Sequence, residues 1–271
     1  MNTQRPVSTR DFFATHPVFS LEEAEETLRP AGGRAAVVQR LKHHLRTGQL
    51  THVSRGIYAV VPPLVAPDHF QPDPFLAARA ARPDGIFSYH SALELLGAAH
   101  SVWHQVTLFT DQRRPPLPLG GARVLFLDHP RPLLDRGETG LGVRRVEWRG
   151  QLLRATGPER TLVDGLRRPD LAGGLPEFLE SAAGFATLDL DLLDTLLTAY
   201  ATANLWAASG WFLEAHRQTF HVDDGYLDRL EAQRPRVPQY LVRSRRGGIL
   251  VPRWNLILPP ELESMRDPDE R

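Results

Sequence analysis

The chain has no cysteine in 271 residues. That excludes disulfides, thiol catalysis and any cysteine-based zinc site, and it leaves no positive argument for an oxidising compartment. Lysine is nearly missing as well: Lys42 is the only one, against 31 arginines, a skew we ascribe to genomic base composition. The opening MNTQRPVSTRDFF lacks the apolar stretch of a signal peptide. One charge-free run, the 19 residues from Thr195 to Leu213, resembles a membrane span in length. Its Thr195, Thr198, Thr202, Asn204, Ser209 and Gly210 are costly in hydrocarbon, so the run predicts buried helix. Net charge is absent too, with 32 basic and 32 acidic side chains. What remains is the composition of an ordinary globular protein, 42% apolar and 24% charged. The expectation is a cytoplasmic protein with no membrane partner. Its length suits two domains.

The most informative stretch runs from Arg29 to Val61. Centring the buried face of a helix on Leu41 places Val37, Val38 and Leu45 beside it, at roughly 100° per residue, and sends Gln39, Lys42, His43 and Arg46 to the other side. Gly48 stands where a helix C-cap is expected. Leu50 to Val53 and Ile57 to Val61 then read as strands around a Ser54-Arg55-Gly56 turn. Ser8 to Thr15 predicts a first helix, and the capping box Ser20-Leu21-Glu22-Glu23 opens a second, ending near Leu28 before the turn Pro30-Ala31-Gly32-Gly33. The order is helix, helix, turn, helix, two-stranded wing: a winged helix-turn-helix over residues 1–62. From Thr27 to Pro67 there are six basic side chains (Arg29, Arg34, Arg40, Lys42, Arg46, Arg55) and no acidic one. A local basic stripe on a neutral chain is the footprint of a phosphate-binding surface, although solvated helix faces also carry such charge.

Five prolines between Pro62 and Pro74 mark a linker over 63–72. Residues 73–271 are expected to form a larger mixed α/β domain, so that the whole is α+β. Asp73-Pro74 caps a helix to about Ala81, and Tyr89 to Gly97 predicts another. Gly85 to Ser88, Val102 to Thr110 and Ala122 to Asp128 have strand composition, with Arg113 to Leu119 read as a proline-rich loop. Gly142 to Trp148 and Gln151 to Thr156 form a hairpin, and Thr156-Gly157-Pro158-Glu159 reads as a second capping box opening a helix through Leu166. Leu175 to Ala183, Leu190 to Ala203, Leu205 to Phe220 and Gly225 to Gln233 follow as helices. Gln239 to Arg243 and Ile249 to Trp254 read as a last hairpin, flanking Arg245-Arg246-Gly247-Gly248. There is no internal repeat.

The ordered set of a helix-turn-helix, RGIYAV (Arg55 to Val60), SYHSALELLG (Ser88 to Gly97), VTLFT (Val106 to Thr110) and ATGPERTLVDGL (Ala155 to Leu166) resembles the AbiEi-type antitoxins and regulators of type IV toxin-antitoxin systems. The resemblance covers nearly the whole chain. It implies an N-terminal domain that represses its own operon and a C-terminal domain that counters a nucleotidyltransferase-like partner toxin. An orphan regulator of the same fold, with no toxin beside it, remains the alternative within this reading.

No motif carries enzyme chemistry. His90, Ser91 and Glu94 lack a second histidine–carboxylate pair at a recognisable spacing. Glu147-Trp148-Arg149 has arginine where a nuclease of the Asp...Glu-x-Lys type needs lysine, and no lysine follows residue 42. His100 and His104 sit at a strand entry, and His43 and His44 point to different helix faces, so neither pair makes a metal site. In PERTLVD, Arg160 and Asp164 are one helical turn apart and expected to pair, with Leu162 and Val163 packed inward. The protein is expected to be a DNA-binding autorepressor and antitoxin, not an enzyme and without cofactor or metal. A nucleic-acid-processing enzyme is the rival class. Double-stranded DNA of its own promoter is met by Arg40, Arg46 and Arg55 at phosphates and by Arg34, Gln39, Lys42 and His43 at bases. A second basic site, Arg243, Arg245, Arg246 and Arg253, lies between Ala232 and Pro260, which hold six arginines and no acid. It serves either an acidic or phosphate-bearing partner or the protection of a hairpin edge.

Overall fold

The structure is a computed structural model that describes residues 7–112, 114–242 and 247–265. Its class is α+β, with eleven α-helices and twelve strands among the described residues. They fall into two compact units. Unit 1 takes the chain as far as Gly85 together with His104–Phe126 and Glu147–Leu153. Unit 2 takes Ile86–Trp103, Leu127–Val146 and the chain from Arg154.

Unit 1 begins with α1 (Thr9–Thr15), β1 (Val18–Ser20), α2 (Leu21–Leu28), α3 (Gly33–Arg46), β2 (Leu50–Ser54) and β3 (Ile57–Val60). A helix start leaves its first N–H groups without partners, and serine supplies one at each of the first two helices. Ser8 Oγ accepts from the Asp11 amide at 3.1 Å and Ser20 Oγ from that of Glu23 at 3.0 Å. Between α2 and α3 the chain reverses through left-handed Arg29 and Gly33. The apolar faces of the three helices meet in one core of Phe12, Phe19, Leu28, Val37, Leu41, Leu50 and Tyr58, with Val38 and Leu45 packed at its margin. The sheet beside that core has three strands in the order β1-β3-β2, not the two expected. β1 pairs antiparallel with β3 in the register Val18↔Ala59, Phe19↔Tyr58, Ser20↔Ile57. Three residues wedged between two helices are too short to show alternation, and the last of them, Ser20, also caps α2.

The prolines of 62–72 lie inside unit 1, and the helix after them, α4 (Pro74–Ala81), packs on β1 and β3. Asp73 Oδ1 caps α4 at the amides of Phe75 (2.9 Å) and Leu76 (3.0 Å). Its Oδ2 accepts from Trp148 Nε1 at 3.1 Å and Arg149 Nε at 2.9 Å. Arg79 forks onto Glu23 of α2, with both terminal nitrogens 3.0 Å from Oε1. Also in unit 1, β5 (Gln105–Phe109), β6 (Leu117–Leu119) and β7 (Ala122–Leu127) run in the order β6-β7-β5. β6 arises where the sequence predicts only loop: Leu117 faces Val124 and Leu119 faces Ala122 across an antiparallel pair. Pro118 is tolerated there because β6 has a neighbour on one side only.

Unit 2 holds β4 (Ile86–Phe87), α5 (His90–Leu95), α6 (Arg131–Asp135), the open end of the hairpin β8 (Val143–Trp148) and β9 (Gln151–Thr156), then α7 (Pro158–Arg167), α8 (Leu175–Ala183), α9 (Leu190–Tyr200), α10 (Ala203–Ala215) and α11 (Asp224–Ala232). β4 runs parallel to β9, with Phe87 opposite Ala155. The hub is α7, where every residue from Pro158 to Leu166 is buried. Arg160 and Asp164 pair as expected, Nε to Oδ2 at 3.4 Å, both fully enclosed. Arg160 also donates to the carbonyls of Thr139 (2.6 Å) and Leu141 (2.9 Å), and Asp164 accepts from Tyr200 Oη at 2.6 Å. A buried pair so furnished adds little net stability, but stripping one partner leaves a charge in a dry site at a cost of about 3–5 kcal/mol.

The expected capping box at Thr156 does not form. Gly157 holds the N-cap position without a side-chain bond, and Thr156 Oγ1 turns instead to Thr161 Oγ1 at 2.7 Å. Glu159 reaches outward to the Asp189 amide at 2.9 Å and to Arg144 at 3.3 Å, because tertiary partners outbid the local amide it was expected to meet. The charge-free run is two helices, α9 and α10, broken at left-handed Ala201. The last hairpin differs too. β10 (Gln239–Tyr240) and β11 (Ile249–Val251) do not pair with each other. β12 (Leu256–Leu258) lies between them, parallel to β10 and antiparallel to β11. The reason is Trp254, fully buried, whose Nε1 donates to Glu214 at 2.6 Å and whose ring lies on Gly210 of α10. Anchoring that ring turns the chain at Asn255 and sends β12 back through the middle.

Candidate nucleic-acid interface

α3 divides as its periodicity predicts. Val37 and Leu41 are wholly buried, while Gln39, Arg40, Lys42, His43 and Arg46 are exposed. Arg55 is exposed in the turn between β2 and β3, where Gly56 at φ 75° makes the reversal. α3 packs along β2, so helix and turn belong to one rigid frame of backbone pairing and shared core. Among the described residues Arg40, Lys42 and Arg55 have no ion-pair partner, and Arg46 has only His43, Nη2 to Nδ1 at 3.5 Å. That leaves four cationic side chains facing solvent.

Arg34 differs from the others. It is exposed, yet its guanidinium bridges Glu22 at 3.1 Å and Glu25 at 3.0 Å, both on α2. The hydrogen bonds it donates to these two carboxylates raise its pKa. Glu22 is held below the ordinary carboxylate range, first by its own backbone amide and then by Arg34. The acid-free interval in the sequence therefore overstates the free charge of α3, because α2 supplies acids across the turn. His44 also leaves the exposed face: it packs its ring edge on Phe13 at 4.9 Å and bonds Gln49. One further residue borders the surface without having been singled out from the sequence. His52 is exposed on β2, 5.0 Å from the Tyr58 ring. Alternation from buried Leu50 would turn His52 inward, so strand periodicity gave no signal for its exposure.

Of the second basic group, Arg243, Arg245 and Arg246 lie outside the described residues. Arg253 is described and engaged: Nη1 meets Glu214 at 2.5 Å, Nη2 meets Asp228 at 3.0 Å, and Nε meets Glu231 at 2.9 Å. Glu231 also pairs with Arg234. The acids come from α10 and α11, outside the stretch whose composition suggested a bare basic edge.

The motif His90-Ser91-Glu94 is a packed cluster. His90 is fully buried, stacked on Trp103 at 4.9 Å between ring centres, with Nδ1 3.0 Å from Glu94 and Nε2 3.8 Å from Glu177. No group of three or more histidine, aspartate and glutamate side chains placed to hold a metal ion occurs among the described residues. Nor is any described helix long and apolar enough to cross a membrane.

No family model matches the chain. No curated protein matches it either. Among solved structures the chain is similar to the Rv2827c protein from Mycobacterium tuberculosis, with a TM-score of 0.59, 21% identity, and coverage of 92% of this chain and 89% of that one. At that identity the likeness is one of fold, and it extends over nearly the full length of both chains.

Proposed function

We propose that the elements α1 to β3 are a winged helix-turn-helix and that the protein is a double-stranded DNA-binding transcriptional regulator. The observation that carries this reading is the division of α3: a buried apolar stripe on one side, and on the other exposed Gln39, Arg40, Lys42, His43 and Arg46, followed by exposed Arg55 in the adjoining turn. In this reading α3 enters the major groove, where Gln39, Lys42 and His43 offer donors and acceptors to base edges. Arg40, Arg46 and Arg55 meet phosphates and displace counterions. Arg34 has a different role, tying α3 to α2 through Glu22 and Glu25. Autorepression and the countering of a nucleotidyltransferase-like toxin, which the sequence resemblance implies, belong to the same proposal; co-expression with a neighbouring nucleotidyltransferase gene tests that part.

The DNA reading is tested with the protein's own promoter in a fluorescence anisotropy titration at several salt concentrations. Replacing Arg46 and Arg55 together with alanine removes two phosphate contacts. The slope of log affinity against log salt is then expected to flatten by about 0.9 per lost contact. An unchanged affinity and slope in a folded double variant removes α3 and the turn from the interface.

A further inference from the structure

A cleft of about 910 Å³ opens in unit 2 where the end of α7, the start of α10 and β10 come together. Its walls combine apolar Leu205, Pro238 and Leu241 with Arg167, Arg168 and Asn204. That size and mixture fit a small organic ligand held by a few polar groups.

The charges on the wall are unequal. Arg168 is matched by Asp170 through two hydrogen bonds of 2.8 Å. Arg167 is matched more loosely, by an ion pair to Asp164 without a hydrogen bond and by the Tyr200 ring, whose centre is 5.8 Å from its guanidinium carbon. Its one hydrogen bond runs from Nη2 to Tyr89 Oη at 3.0 Å, and its Nε is buried without a partner. The nearest carboxylate, Asp164, stands 3.6 Å away and already bonds Arg160 and Tyr200. A guanidinium carries five donors, so Arg167 keeps several in reserve at a cavity wall while two thirds of its side chain is withdrawn from water. Opposite it, α10 starts without a side-chain cap: Thr202 turns its hydroxyl to the Tyr200 carbonyl at 3.0 Å, leaving the positive end of a 13-residue helix facing the same space. Asn204, in that first turn, buries an amide oxygen that has no donor, which suits a hydroxyl or N–H on the body of a ligand and not the anionic group itself.

We infer that this cleft binds a small organic anion, with a phosphate or carboxylate group seated on Arg167 and its body on the apolar wall. Planar, forked donors suit both groups, which share two oxygens at the spacing a guanidinium presents. This site is separate from α3 and does not depend on the DNA reading.

The full chain is titrated with two probes, adenosine monophosphate for the phosphate arm and citrate for the carboxylate arm. Binding is followed by calorimetry and by the arginine Nε–Hε resonances in nitrogen-15 spectra. Saturable binding of either probe, with the Arg167 Nε resonance moving along the same isotherm, is the expected result; which probe binds identifies the anionic group. R167Q, which keeps a donor near Tyr89 but loses the charge, is expected to weaken binding at least tenfold, and R167K to restore part of it. Because the resonance is read on the native protein, the test stands even if R167Q folds poorly. No saturation with either probe, saturation without movement of the Arg167 resonance, or full affinity in a folded R167Q overturns the inference.

Discussion

Gly210 sits in the middle of α10, where alanine would ordinarily be better. Exchanging glycine for alanine inside a helix normally stabilises by about 0.8–1 kcal/mol. Here a Cβ would lie 2.1, 2.3 and 2.7 Å from three carbons of the Trp254 ring. Carbon atoms rest at about 3.5–4.0 Å, so the ring must retreat by about 1.4 Å. It has nowhere to go, being fully buried and tethered to Glu214 by a 2.6 Å hydrogen bond. Overpacking of this kind costs about 1–3 kcal/mol, and loosening the tether adds about 1 kcal/mol. After the helical gain is subtracted, G210A is expected to destabilise unit 2 by about 2 kcal/mol. G165A should act in the same direction, since its Cβ would fall 2.0 Å from the Phe178 ring. Gly225 of α11 is the internal control: the nearest atom to its Cβ is Asp223 Oδ1 at 3.4 Å, an ordinary contact, so G225A should be neutral or stabilise by a few tenths of a kcal/mol. Urea titrations followed by far-ultraviolet circular dichroism read the three variants, with lower midpoints at unchanged slope for the first two. A G210A protein as stable as G225A would refute the packing argument.

Other outcomes follow from the same reasoning. D73A should cost about 2–4 kcal/mol in urea unfolding, since it removes the α4 cap and leaves Trp148 Nε1 without its acceptor; a loss below 1 kcal/mol would mean that water replaces both roles. Tyr89, Tyr200 and Tyr226 are each pushed above the ordinary phenol range, chiefly by burial, and Tyr226 also by its 2.7 Å hydrogen bond to Asp194. The folded protein thus holds those protons after the unfolded chain has lost them. Their contribution to stability is complete below about pH 10 and is lost as pH rises past it, and Y226F should make that alkaline slope shallower. His216 is shifted the other way by burial, so its contribution is present above about pH 6.5 and lost toward lower pH; H216F should reduce acid sensitivity between about pH 7 and 5 in the same unfolding assay.

What could be read from sequence was whatever a few neighbouring residues decide. Ser8, Ser20 and Asp73 announce helix starts because capping is a contact within three residues, and all three bonds are present. The two faces of α3 follow from its own periodicity. The errors occur where a distant partner competes. Thr156 had the spacing of a cap but found Thr161, and Glu159 found Arg144 and Asp189. The acid-free windows around Arg34 and Arg253 held no warning of Glu22 and Glu25 on α2, or of Glu214, Asp228 and Glu231 on α10 and α11. Charge counted along the chain is not charge at a surface. The Arg167 cleft was equally hidden, since α7, α10 and β10 that line it are separated by long stretches of sequence.

The placement of β12 has a consequence for how the chain is made. The strand in the middle of the β10-β12-β11 sheet is the last of the three to be synthesised. A nascent chain that has reached Val251 has both outer strands and no way to join them, and the surface of α10 around Gly210 stays open until Trp254 emerges. Unit 2 therefore cannot close progressively during translation. A product interrupted after Val251 and before Trp254 carries two unpaired strands and an uncovered apolar groove, the features that proteases and chaperones recognise.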